Sequence, residues 1–221
     1  MALLTRIRRL IRAEDAGAAP KSAAEAAAEE SRLAVTAGAS ERRSRDGASA
    51  SNRADCGPVD LERIIRVEEV ANAEFYIGDL FRRRFRSDPP DYPRHFIGVY
   101  RGESRTLLPV GYVHYSPFDD AWLCGGLVID ERAYRTLPKG HRNAIRDAGG
   151  LAELMLRETF ARLRQAPAIW GYVGDKQSEV VCLRAGFRHT SARHVMVVWN
   201  ADLSKQEEEL RLARVVAIGP F

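Results

Sequence analysis

The chain has 221 residues, a net charge of +4 and 45% hydrophobic residues. At about 150 residues per domain, this length allows one full domain with a remainder, or two small domains. The three Trp, seven Tyr and eight Phe all lie at or after Phe75, so the first third of the chain has no aromatic side chain. A segment without aromatic residues buries little area per residue. The composition therefore excludes two equal globular halves and predicts a core in the C-terminal two thirds.

The positive charge is spread evenly along the chain. Residues 1–57 hold ten Arg and Lys against eight Asp and Glu, and residues 58–221 hold 24 against 22. Because binding to a phosphate backbone needs a concentrated basic patch, the sequence carries no clear signal of nucleic-acid binding. The densest basic group, at 82–86, is interpreted as the solvated face of a helix.

The three cysteines are Cys56, Cys124 and Cys182, and none belongs to a CxxC pair. This odd, unpaired set excludes a disulfide framework and a structural zinc site, and it predicts a reducing, cytoplasmic location. No stretch approaches the roughly 18 uninterrupted apolar residues of a membrane-spanning helix. The Arg- and Ala-rich composition is typical of a bacterial protein.

The first 57 residues divide into two predicted segments. Residues 1–13 place five apolar side chains on one helical stripe and four arginines largely outside it. This pattern predicts a basic amphipathic helix suited to docking on a lipid surface or in a partner's groove. The equally weighted alternative is a marginal helix that frays, because isolated helices shorter than about 12–15 residues seldom hold in water. Residues 14–57, rich in Ala and then in Ser, Arg and Gly, predict a disordered linker.

From residue 58 onward, apolar runs and helical spacing alternate. The pattern predicts strands at 61–67, 95–100, 110–115, 121–129, 169–173 and 195–199, with an optional one at 187–191. It predicts helices at 69–86, about 149–164 and 177–185, a long polar stretch at 130–147, and a tail helix that a capping box starts at Ser204. The order β-α-β-β-β-α-β-α-β predicts an α+β domain over 58–200, followed by a C-terminal helix and tail over 201–221.

Two glycine features stand out within this order. Gly149 and Gly150 open a helix, and glycines at a helix start let phosphates approach bare backbone N–H groups. Alone, this signal is weak, since two glycines before a helix are often just a turn. The second feature is Gly186 followed by Phe187, which by itself is a helix C-cap before a core aromatic residue.

Taken together with the strand order, these motifs resemble the GCN5-related N-acetyltransferase (GNAT) superfamily. The resemblance covers about Leu61 to Trp199 and rests on CGGLVID before the glycine-rich helix start and on SEVVCLRAGF at the second acyl-CoA motif. It implies a mixed, mostly antiparallel sheet flanked by helices, which splays between 121–129 and 168–173. Acetyl-CoA or another acyl-CoA would lie in this opening as the co-substrate, without a metal.

The resemblance also implies which residues hold the cofactor. The bulge that splays the strands falls on Cys124-Gly125-Gly126, since glycine tolerates bulge geometry. The backbone of Leu127, Val128 and Ile129 would face the pantetheine. The backbone of Gly149, Gly150, Leu151 and Ala152 would cradle the pyrophosphate. Matching Gly150 and Ala152 to the family's loop places Asp147 where Arg or Gln belongs, which would repel the pyrophosphate. Cationic contacts would then come from Arg146 and the preceding loop, which is equally well an ordinary surface loop.

The catalytic groups depart further from the family. Cys182 occupies the position of the Tyr that protonates the departing thiolate in many relatives. A thiol can in principle donate a proton, but the favoured interpretation is a small buried hydrophobe, with Tyr172 as another donor. The strand at 121–129 has no acid, so the base candidates are Asp120 and His114, together with Asp119, Glu131 and His141. The two aspartates are equally well turn residues, and His114 is also interpreted as a satisfied core or surface histidine. A base working through water would need none of them.

These features predict an acyl-CoA-dependent N-acyltransferase in which an amine attacks the thioester directly. The acceptor is an unidentified small-molecule or protein amine, contacted by the variable segments at about 70–94 and 130–147. The alternative is a catalytically degenerate GNAT-like module that serves in acyl-CoA binding or in regulation. It is favoured by Asp147, by Cys182 and by the absence of an acid on the strand at 121–129.

Overall fold

The computed structural model describes residues 59–91, 94–102 and 107–221. The predicted amphipathic helix at 1–13 and the predicted linker at 14–57 lie outside these residues. Within them the chain forms seven strands and seven helices. The strands are β1 Ile65–Val70, β2 Arg94–Arg101, β3 Leu107–Phe118, β4 Ala121–Ile129, β5 Ala168–Tyr172, β6 Arg188–His189 and β7 Val195–Trp199. The helices are α1 Leu61–Ile64, α2 Ala73–Phe85, α3 Glu131–Thr136, α4 Lys139–Asp147, α5 Leu151–Leu163, α6 Lys176–Ala185 and α7 Lys205–Val216.

The strands form one sheet in the order β1-β2-β3-β4-β5-β7-β6. Strands β1 to β4 form an antiparallel meander, β5 pairs parallel with β4, and β7 lies antiparallel between β5 and β6. The predicted fold class, a mixed and mostly antiparallel sheet flanked by helices, is confirmed. Strands β4 and β7 have the predicted bounds.

Helices cover both faces of the sheet. On one face, Phe81 of α2 packs against Tyr112 and Val128, and Val215 of α7 packs against Trp170. On the other face, α4, α5 and α6 contribute the apolar side chains of the largest cluster, which include Ile145, Met155, Leu156, Phe160 and Cys182. Because successive side chains of a strand point to opposite faces, the strands other than the exposed two-residue β6 contribute to both layers.

The predicted strand at 61–67 is wrong in its first half. The carboxylate of Asp60 accepts a hydrogen bond from the Glu62 amide and starts the one-turn helix α1, so β1 begins only at Ile65. The predicted helix at 69–86 begins late for a related reason: Val70 still pairs with His95 in the sheet. The side chain of Asn72 then caps α2 by accepting from the Phe75 amide.

The polar stretch at 130–147 contains two helices that the sequence pattern did not predict. The Asp130 carboxylate caps α3 by accepting from the amides of Arg132 and Ala133, and α4 starts after Pro138. Leu137 and Ile145 are the hydrophobic side chains that this segment buries, too few to produce a helical period. The tail helix, in contrast, is confirmed with both hydrogen bonds of its capping box at Ser204.

Candidate functional site

Strands β4 and β5 separate at one end of the sheet. Their parallel ladder joins Trp122 to Ile169, Leu123 to Trp170 and Cys124 to Gly171 and then ends, whereas β4 continues to Ile129. The end of β4 stays paired with β3, where Val128 lies opposite Tyr112. The sheet therefore opens between the C-terminal half of β4 and the end of β5.

A glycine bulge in β4 begins this opening. The register with β3 shifts between Tyr112 and His114, and Gly126 has a φ of 57°. A Cβ atom on Gly126 would lie 2.5 Å from the Cε1 atom of the His114 ring, so a larger residue does not fit without displacing that ring. The predicted bulge is thus confirmed, and both the left-handed backbone and the close imidazole require its glycine.

The glycine pair before α5 lies at the same end of the sheet. Because β4 and β5 are parallel, their connection must return the chain to the start of β5. Helix α5 is the last element of that connection and therefore begins where β4 ends. Gly149 and Gly150 have φ values of 104° and 95°, Gly150 is the N-cap, and a Cβ on Gly150 would meet no atom within 4 Å. The N-cap therefore has free space beside it, next to the first N–H groups of α5, which have no acceptor within the helix.

An ion-pair cluster that sequence reasoning missed fixes this helix start. The side chain of Glu153 is only 6% exposed and lies 2.7 Å from Nη2 of Arg157 and 3.0 Å from Nε of Arg184. Arg184 also donates to the Gly149 carbonyl at 3.0 Å. The cluster therefore ties the glycine turn and the first turn of α5 to the end of α6. Its only sequence signal is a Glu and an Arg four residues apart, which is too common to single out.

The predicted cofactor-binding residues fall on the two sides of this mouth. Leu127, Val128 and Ile129 form the end of β4, with the Val128 side chain packed under α2. Gly149, Gly150, Leu151 and Ala152 form the start of α5, where the Leu151 side chain is buried. Arg146 is exposed at the end of α4, with its Nε 3.7 Å from the Asp147 carboxylate.

The structure does not bring Asp120, a predicted base, together with these residues. It precedes β4, seven residues before Leu127 along an extended strand, which is about 23 Å at roughly 3.3 Å per residue. Its carboxylate accepts from both Nη atoms of Arg211, at 2.5 and 2.9 Å. These hydrogen bonds hold the pKa of Asp120 below its usual range, so the group is an ion-pair partner of α7. Asp119 makes a similar pair with Arg214.

His114 and Cys182 lie near the opening, but burial shifts their pKa values away from catalytic use. Desolvation, with a smaller contribution from His95, lowers the pKa of His114 to about 4. Desolvation, followed by the charge of Asp175, raises the pKa of Cys182 to about 11. At neutral pH, His114 is a weak base and Cys182 is a weak acid. The alternative donor Tyr172 packs against the cluster that contains Val215 of α7, whereas Cys182 belongs to the cluster on the other face of the sheet.

In residues 59–91, 94–102 and 107–221, no three His, Cys, Asp or Glu side chains are grouped so that they could hold a metal ion. Over the same ranges, no helix combines the length and the apolar run that crossing a bilayer requires.

No protein-family model and no curated protein sequence matches the chain. Among solved structures, it is similar to the ribosomal-protein-S18-alanine N-acetyltransferase from Escherichia coli, with 9% identity over 64% of this chain and 97% of that one and a TM-score of 0.43. It is similar to YhhK from E. coli bound to coenzyme A, with 12% identity, 61% and 98% coverage and a TM-score of 0.39. It is also similar to a GCN5-related N-acetyltransferase from Brucella melitensis, with 17% identity over 72% of this chain and 84% of that one and a TM-score of 0.38.

Proposed function

We propose that the chain is an acyl-CoA-dependent N-acyltransferase that uses acetyl-CoA and transfers the acyl group to an amine within a ternary complex. One observation carries the proposal: the opening between β4 and β5 lies at the same end of the sheet as the glycine-led start of α5. An extended thioester cofactor with a phosphorylated end needs both features in this arrangement.

In this proposal the backbone performs most of the cofactor binding. The amides of pantetheine pair with the exposed edge of β4 at Leu127–Ile129, as an added strand would. The Gly150 N–H donates to the Ile145 carbonyl at 2.9 Å, so the pyrophosphate lies at the N–H groups of Leu151 and Ala152, beside the bare backbone of Gly149 and Gly150. The positive end of the helix dipole favours an anion there. Arg146, exposed beside this start, supplies a flexible positive charge.

The chemistry requires an amine with a free electron pair. Its nitrogen attacks the thioester carbonyl carbon, and backbone N–H groups of β4 stabilise the charge that develops on the carbonyl oxygen. The C–S bond then breaks, and its electron pair leaves with sulfur. An ordinary thiol has a pKa of about 8.5, so Cys182, with a pKa of about 11, is a weaker acid than the thiol it would regenerate. We therefore propose no proton donation by Cys182.

The first test is saturable binding of acetyl-CoA, measured as a rise in the melting temperature of the whole chain. We expect Gly150→Glu to abolish the rise, because a carboxylate at the N-cap repels the pyrophosphate. Gly219→Glu is the matched control, since Gly219 also has a positive φ, of 84°, and a Cβ there would also meet no atom within 4 Å. No rise for the unaltered chain at millimolar acetyl-CoA would refute the proposal.

A second candidate function is an acyl-CoA-binding or regulatory module without turnover. The observation that favours it is that the pKa values of both His114 and Cys182 are shifted away from catalytic use. Acetyl-CoA binding without CoA release across a panel of primary amines would select this function over the transferase.

A further inference from the structure

A cleft of about 420 Å³ lies beside the proposed cofactor site, at the end of β5. It is bounded by the start of α6 and by the segment that leads from β6 into β7. Its lining includes Val173, Asp175, Glu179, Thr190 and His194. Val173 directly follows β5, whose other edge borders the opening. The cleft and the opening therefore share the end of β5 as a common wall.

His194 has an unusual backbone conformation within this lining. Its φ is 68°, and among the described residues only two other non-glycine residues have a positive φ. These are Arg86, which ends α2, and Asp119, which lies in the turn between β3 and β4. A left-handed histidine is uncommon and persists only where its surroundings hold it.

Hydrogen bonds to Val173 hold His194 in place. The Val173 amide donates to the His194 carbonyl at 2.8 Å, so His194 lies one strand spacing, about 4.8 Å, from the line of β5. The Nδ1 atom of its ring lies 2.9 Å from the Val173 carbonyl oxygen, and the ring contacts that of Tyr172 with centroids 5.6 Å apart.

These contacts determine the tautomer of the neutral ring. A carbonyl oxygen only accepts hydrogen bonds, so Nδ1 must carry the proton that is donated to Val173. The electron pair of the neutral imidazole is then on Nε2, as in histidines that act as bases. His194 is half-buried and lines a solvent-filled cleft, whereas His114 is buried under α2. Of these two histidines, His194 is the one a substrate can reach.

We propose that this cleft receives the acceptor, a primary amine, and that Nε2 of His194 is the general base that takes the amine proton. The inference rests on the proposed function. As the C–N bond forms, the amine proton moves to Nε2 and the ring becomes an imidazolium. The C–S bond breaks, CoA leaves as the thiolate, and the imidazolium returns its proton to solvent or to the thiolate. Charged side chains of both signs line the cleft, Asp175 and Glu179 against Lys176 and Arg193, and the amine reacts in it as the neutral species.

The test replaces His194 by residues that accept a positive φ. Asn tolerates this conformation and can still donate to Val173, and Gly leaves a space that imidazole can fill. CoA release is measured over a range of acetyl-CoA concentrations up to saturation, with three probes: a peptide with a free α-amino group, a lysine-containing peptide and a diamine. For the amine that the unaltered chain uses, we expect His194→Asn to lower kcat by about 100-fold or more. The KM for acetyl-CoA should stay unchanged, and added imidazole should partly restore the kcat of His194→Gly.

The control is Gly219→Asn, which places the same side chain at another positive-φ position, where a Cβ would meet no atom within 4 Å, and should leave kcat unchanged. A merely structural role for His194 predicts no rescue by imidazole. If His194→Asn turns over like the unaltered chain, or if imidazole rescues nothing, the inference is overturned while the transferase proposal stands. If the unaltered chain binds acetyl-CoA but releases no CoA with any probe, both are overturned in favour of the binding module.

Discussion

His114 is a buried imidazole whose protonation works against the folded state. Its pKa is about 4 in the folded chain, against an ordinary value of 6.5. A histidine with a depressed pKa contributes stability that is complete above the unfolded pKa and is lost as the pH falls toward the folded value. We expect the free energy of unfolding to fall by up to about 3 kcal/mol between pH 6.5 and pH 4 from this residue alone.

Urea unfolding of the unaltered chain and of His114→Gln at several pH values measures this contribution. Carboxylates titrate in both proteins, so the difference between the two curves isolates the histidine. The stability of His114→Gln should fall less steeply over this range. Parallel curves would show that His114 is not buried as a neutral ring.

At this scale, the sequence identified residues by type but not by partner. The sequence favours a buried Cys182, and the residue is buried, but the burial of His114 and the effect of burial on both pKa values depend on packing between distant segments. The ion pair of Asp120 could not be predicted, because its partner Arg211 lies 91 residues further along the chain. His194 carried no sequence signal for the same reason, since Val173, which fixes its tautomer, lies 21 residues away.

Among the elements, the start of α5 depends on one buried carboxylate. Arg157 and Arg184 are half exposed, so replacing Glu153 by Gln leaves no unpaired charge in the interior. We therefore expect a loss of about 1–2 kcal/mol in the free energy of unfolding, less than for a fully buried pair. Glu158→Gln is the matched control on the same helix, because the pair between Glu158 and Arg162 is solvent-exposed and should contribute less than about 0.5 kcal/mol. Equal losses in urea unfolding would contradict the structural role of Glu153.

The elements that the sequence predicted best are those that local patterning determines. Strands β4 and β7 are continuous apolar runs, and the capping box at Ser204 is a local motif. The one-turn helix α1 and the late start of α2 depend on where β1 pairs with β2, a contact between distant segments. The opening between β4 and β5 follows from the resemblance, and the motifs that carry the resemblance include the glycines of the bulge and of the helix start.

Across the whole molecule, the C-terminal segment belongs to the core of the sheet rather than to a loose tail. Val215 of α7 packs with Leu123, Trp170 and Val197 from three strands. Arg211 and Arg214 pair with Asp120 and Asp119 beside the start of β4. Exposed pairs of this kind contribute little, so the apolar contact provides most of the attachment of α7.

Two neighbouring valines test this attachment. Val215 is 1% exposed and Val216 is 47% exposed on the same helix. Replacing Val215 by Ala removes two buried methyl-sized groups and leaves a cavity, so we expect a loss of about 2 kcal/mol in the free energy of unfolding. Val216→Ala changes the same atoms at the surface and should stay within about 0.5 kcal/mol of the unaltered chain. Urea unfolding of the full chain measures both, and a similar small loss in the two variants would mean that α7 does not contribute to the core.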